Sequence, residues 1–113
     1  MPDQTFPKAA RLLSRADFDA VFALKQSAGD RRLVVFWRAN ELGRARLGLA
    51  VGVSFGNAVK RNQFKRRVRE LFRKSVLGAF DLVVLPAKHA EAKKAGYVEL
   101  AQSWQKLTGK VSA

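Results

Sequence analysis

A chain of 113 residues, 48% of them hydrophobic, is long enough for one core and too short for two. Its 22 Lys and Arg against 9 Asp and Glu give a formal net charge of +13, which repels itself in a small fold unless a polyanion lies beside it. The lack of cysteine excludes disulfides and thiolate chemistry; nucleic acid fits such charge best, an anionic membrane surface second.

Met1-Pro2-Asp3-Gln4 carries no signal-peptide pattern, and no apolar run nears the roughly 20 residues that span a bilayer, so a cytoplasmic protein is expected. One domain over residues 1–113 is expected, with an extended arm over 1–11 and a flexible tail over 109–113. Ser14 begins a helix that runs to about Lys25. Asp17 can complete a capping box and Leu13 can staple onto Phe18. Phe18, Val21 and Phe22 share one side of that helix, and 27–32 reads as loop. Residues 33–39 read as a strand, with a turn at 40–43 and a hairpin partner over 46–53. In that partner Leu47, Leu49, Val51 and Val53 point one way. Gly48, Ala50 and Gly52 point the other, a face that either a packed element or a ligand backbone can approach closely. Asn57 caps a helix over 58–76, Gly78 ends it, and 80–85 is a buried strand stopped by Pro86. A last helix covers much of 90–107, with Gly96 weakening its middle and Trp104 and Leu107 on its inner side. The order α-β-β-α-β-α makes an α+β sandwich, helices packed on a small sheet.

The helix over 58–76 holds the densest charge. Between Lys60 and Lys74 stand eight basic residues (Lys60, Arg61, Lys65, Arg66, Arg67, Arg69, Arg73, Lys74) and one acid, Glu70, so this helix carries +7 of the +13. At 3.6 residues per turn Phe64, Val68, Leu71 and Phe72 form its apolar stripe. Beside the stripe, Lys65, Arg69, Asn62, Arg66 and Arg73 form an arc with no acid in it. A solvated face normally mixes signs because Glu and Lys support one another, so an unmixed arc points to phosphates. RNA is favoured over DNA: a helix anchored to a sheet covers a curved backbone, whereas a DNA reader enters a groove from a small helical domain or a dimer.

Phe18 and Phe22 lie one turn apart, and Phe36 shares a strand face with Arg38. An aromatic beside a cation can stack unpaired bases and hold their phosphates, as single-strand binders do. Core packing is the commoner use of Phe at helical spacing, and the residues alone leave both readings open. Trp37, on the opposite face, reads as core.

The segment Gly56-Asn57-Ala58-Val59-Lys60-Arg61-Asn62-Gln63-Phe64-Lys65-Arg66-Arg67-Val68-Arg69-Glu70 closely resembles the RNR signature of the bacterial ribonuclease P protein component. Leu47-Gly48-Leu49-Ala50-Val51 and Asp17-Phe18-Asp19-Ala20-Val21-Phe22 are similar to that family too, in order and spacing, so the likeness covers about 12–85. The resemblance implies a division of labour: an RNA subunit with bound Mg²⁺ cuts the 5′ leader from precursor tRNA, and a single protein copy supports it. Arg61, Asn62, Lys65, Arg66 and Arg69 then match the motif's RNA-contacting positions, and Phe18, Phe22 and Phe36 the leader-binding ones. The family also implies a left-handed crossover through the basic helix, against the usual rule for parallel strands. Two departures stand out: Gln63 replaces the motif's second Arg, and Val53-Ser54 stands where basic residues are frequent.

Catalysis by the protein itself has little support. His89, the one histidine, reads as a loop residue, and Asp17 and Asp19 face different ways on their helix. No carboxylates group like a two-metal nuclease site, so Mg²⁺ is expected on RNA phosphates. The rivals are a structural RNA-binding protein of ribosomal type, which needs no single-strand channel, and a DNA-binding regulator, which needs a dimer face.

Overall fold

The computed structural model describes residues 10, 11 and 14–112. Most of the expected arm over 1–11, and Leu13 of the expected staple, lie outside them. The elements are α1 (Arg15–Ala23), β1 (Ser27–Gly29), β2 (Leu33–Ala39), β3 (Arg46–Leu49), a 3-10 turn (Val53–Phe55), α2 (Ala58–Lys74), β4 (Phe80–Pro86), α3 (Ala90–Lys94) and α4 (Tyr97–Thr108). The α+β class stands, and the pairing inside it differs from the expected hairpin.

The strands lie in the order β1-β2-β4-β3. β4 is inserted between the two strands expected to pair, antiparallel to β2 over seven residues and parallel to β3 over four. Burial gives the reason. Leu82, Val83 and Val84 are 0% exposed, and a strand apolar on both faces belongs at the centre of a sheet. β2 and β3 therefore flank it, with α2 as the crossover from β3 to β4.

Three further elements depart from expectation. Ser27–Gly29, read as loop, adds an edge strand against β2. The strand expected over 46–53 stops at Leu49, although the Ala50 N–H still reaches the Val84 carbonyl at 3.1 Å. Val53, expected on the same strand face as Leu47, is instead 80% exposed in the 3-10 turn. The last helix breaks in two, because Gly96 starts α4 and donates its N–H to Glu99 Oε1 at 3.0 Å.

α2 and α4 cover one face of the sheet. Phe64, Val68, Leu71 and Phe72 from α2 and Leu100, Trp104 and Leu107 from α4 close over Leu33, Val35, Trp37, Leu47, Leu82 and Val84. Trp37 lies in this core as expected, and its indole N–H donates to the Ser112 carbonyl at 3.0 Å. With Val111 packed on the same core, residues 111 and 112 of the expected flexible tail are tied to the sheet. α1 covers the opposite face, pinned by Val21 on Val83.

Candidate nucleic-acid interface

α2 starts where its sequence places it: the Asn57 side chain accepts the Lys60 N–H at 2.9 Å. Its apolar stripe is buried as expected, which turns the basic side outward. Asn62, Arg66, Arg69 and Arg73 are exposed and Lys65 half-buried. Asn62, Lys65, Arg66 and Arg69 carry no ion pair among the described residues. Burial, with the charge of Arg11 added, lowers the Arg69 guanidinium from its ordinary value. Two cations crowded together in this way are what a phosphate relieves.

Arg61, Arg67, Arg73 and Lys74 of α2 have partners. Arg73 and Lys74 both hold Glu70, Lys74 at 3.3 Å, and the Arg73 contact lowers the Glu70 carboxyl below its ordinary value. The expectation of an arc without acid therefore fails at Arg73, because i, i+3 spacing lets Glu70 reach it. Arg61 donates through Nε to the Gly56 carbonyl at 3.1 Å and stiffens the entry to the helix. Arg67 donates to the Ala95 carbonyl at 3.2 Å, bracing the α3–α4 junction on the flank away from Lys65. Lys60 is exposed near the start of the helix, and so is Gln63.

The second surface is the α1 face of the sheet. Strand register sets three rows across it: Arg38, Asp81 and Arg46; then Phe36, Val83 and Gly48; then Val34 and Leu85. Phe18, Phe22 and Phe36 pack around Val21 and Val83, and the Phe22 and Phe36 rings meet edge-on with centroids 5.0 Å apart. All three rings are only half-buried. The core reading thus holds in part: the undersides close a small core, and the outer surfaces stay half-exposed. Past Ala50 and Leu85 this face runs into a cavity of about 720 Å³, bordered by Gly52, Ser54, Phe55, Lys88, His89 and Lys93. Phe55 in turn packs on Phe64 of α2, ring centroids 5.3 Å apart, so the cavity adjoins the start of the basic helix. His89, expected to be a simple loop residue, accepts the Glu91 N–H on Nδ1 at 3.3 Å and caps α3.

Arg38, expected beside Phe36, is there, but its charge is engaged. Asp81, 0% exposed, accepts four donors: Arg46 Nε and Nη2 at 2.8 Å each, Arg38 Nη2 at 2.9 Å and Asn40 Nδ2 at 2.9 Å. Burial alone would raise the Asp81 carboxyl. The donors from Arg46, Arg38 and Asn40 outweigh it and hold the group at about 2. Asp17 of α1 completes the group, 3.7 Å from both Arg38 and Arg46. Half of the expected capping box forms, the Asp17 N–H donating to the Ser14 hydroxyl at 3.0 Å, while the Asp17 carboxylate turns to the two arginines. Sequence reading missed Asp81, Arg46 and Asn40 as a unit. The available signal was a lone acid in the apolar run Phe80-Asp81-Leu82-Val83-Val84-Leu85, since a buried carboxylate needs cationic partners.

Comparison with known proteins identifies the family. The family model Ribonuclease P matches residues 6–112. The ribonuclease P protein component of Legionella pneumophila (strain Lens) is 40% identical over 107 residues, covering 91% of this chain and 93% of that protein. That of Thermotoga petrophila is 41% identical over 88 residues, 75% of each chain. Among solved structures, the Staphylococcus aureus RNase P protein superposes with a TM-score of 0.82 at 33% identity, over 90% of this chain and 94% of that one. The Thermotoga maritima protein gives 0.83 at 34% identity, over 90% of this chain and all (100%) of that one. With a family model matched almost end to end, the chain belongs to the ribonuclease P protein family.

Proposed function

We propose that this ribonuclease P subunit divides two RNAs between its two surfaces. The arc of Asn62, Lys65, Arg66 and Arg69, joined by Lys60, Arg61, Arg67 and Arg73 along α2, lies on the catalytic RNA. The half-buried rings of Phe18, Phe22 and Phe36 receive the 5′ leader of precursor tRNA, in the cytoplasm, with one protein copy per RNA. The observation that carries this reading is the coexistence, on one small fold, of a helix side with cations lacking acid partners and an aromatic face left half-open.

The protein's own residues bind and orient; they do not cut. Among the described residues no three His, Asp or Glu group to hold a metal ion, and the carboxylates nearest the cleft, Asp17 and Asp81, already face Arg38 and Arg46. These groups do not fit Mg²⁺, which we assign to RNA phosphates. Precursor and product differ by the leader, so contacts to the leader favour substrate over product, and cations on α2 screen the phosphates that RNA must crowd together as it folds.

The test is cleavage of a precursor tRNA by a bacterial ribonuclease P RNA at low Mg²⁺, with and without the protein. Strong stimulation with correct 5′ ends is expected. Binding without stimulation would leave a structural RNA-binding protein instead.

A further inference from the structure

α1 has nine residues and a single fully buried side chain, Val21 on Val83. With only the half-buried Phe18 and Phe22 rings packed beside that pin, the apolar hold is slight and lets a short helix pivot. The second attachment is one turn earlier, where Asp17 lies 3.7 Å from Arg38 Nη2 and from Arg46 Nη1. Those arginines are themselves tethered, since the buried Asp81 holds Arg46 through two hydrogen bonds and Arg38 through one. A chain of contacts therefore runs from β4 through Asp81 and the two arginines to α1. The residues that follow Asp17 and Val21 on that helix are Phe18 and Phe22.

We propose that Asp17 is the positioning residue of the aromatic cleft, fixing how α1 lies over the sheet and so the gap between Phe18, Phe22 and Phe36. The proposal rests on the leader-cleft reading above. Asp17 does this by charge, because 3.7 Å is an ion pair too long for a strong hydrogen bond. Its removal spares the helix itself: Ser14 caps α1 through the Asp17 backbone N–H, which any side chain at that position keeps. It also spares the core, since the Asp17 side chain is 32% exposed. Asp19 on the same helix supplies the control, because it pairs only with Arg15 among the described residues and points away from the sheet.

The experiment compares holoenzymes assembled with Asp17→Asn, Asp17→Glu, Asp19→Asn and Phe18→Ala proteins, reading affinity for the RNA subunit and for precursor and mature tRNA. Asp17→Asn should lower the preference for precursor about tenfold, below the ~100-fold that a misplacement of around 1 Å can cost. Its affinity for the RNA subunit should hold, Asp17→Glu should recover most of the preference, and Asp19→Asn should match the parent protein. The Val83 methyl resonances, under the Phe22 and Phe36 rings, should shift in Asp17→Asn alone of the two Asp→Asn variants. If Phe18→Ala abolishes the preference while Asp17→Asn retains it, the positioning role is wrong and the leader cleft stands. Loss of RNA-subunit affinity together with the preference in Asp17→Asn would show general unfolding and overturn the proposal. If Phe18→Ala keeps the preference, the leader reading itself fails and the proposal falls with it.

Discussion

Asp81 illustrates how a few residues decide this fold's chemistry. A fully buried carboxylate is costly unless its charge is met, and here two guanidinium groups and the Asn40 amide meet it. Its carboxyl, ordinarily near 3.8, is held at about 2, so the stabilisation is complete above the ordinary value and disappears as pH falls through that window. The difference corresponds to ~2 kcal/mol. Asp81→Asn should cost ~3–5 kcal/mol, because it strands Arg38 and Arg46 beside a neutral group. Urea melts between neutral pH and pH 2 check both statements, since the variant should also lose part of the acid sensitivity of the parent. The cluster was hidden from sequence because Asp17, Arg38, Asn40, Arg46 and Asp81 are scattered over 65 positions, and only β4 lying between β2 and β3 unites them. By contrast the ring residues Phe18, Phe22 and Phe36 were legible, since helical spacing and strand alternation are local properties.

At the scale of elements, α2 was the most legible part of the chain. Its cap follows from Asn57 and its apolar stripe and basic side from periodicity, and the structure changes the standing of Arg73 through Glu70 and of Arg61 and Arg67 through backbone carbonyls. Single alanine substitutions should therefore act unequally. Lys65→Ala or Arg66→Ala should reduce the slope of log affinity against log salt by ~0.7–0.9 for each phosphate the side chain neutralises, and Arg73→Ala by clearly less. Equilibrium binding of the RNA subunit over a salt series reads this directly. α2 is in turn clamped to α4 by Ser75, whose hydroxyl donates to the Leu71 carbonyl at 2.8 Å and accepts the Trp104 indole N–H at 2.7 Å. Ser75→Ala should cost ~1–3 kcal/mol in thermal or urea melts and leave the salt slope unchanged, since only a buried donor is left without its acceptor. The expected hairpin failed for a general reason: alternation identifies strands, and which strand sits between two others depends on burial from both faces.

For the whole molecule, two surfaces with different chemistry lie on a fold of 13.2 Å radius of gyration. The cavity bordered by Phe55 brings the open face to the start of α2, so in the proposed arrangement one RNA strand passes from the cleft towards the RNA assigned to α2. On the proposed reading, a net charge of +13 draws RNA in without selecting among RNAs, and selection falls to the aromatic face. The most direct measurement of that division is the affinity of the assembled enzyme for tRNAs whose 5′ leader is lengthened one nucleotide at a time. Affinity should climb with each of the first few nucleotides and then level off once the cleft is filled. The RNA subunit alone should show no such climb. Equal affinity for mature tRNA and every precursor, with the protein present, would contradict the account.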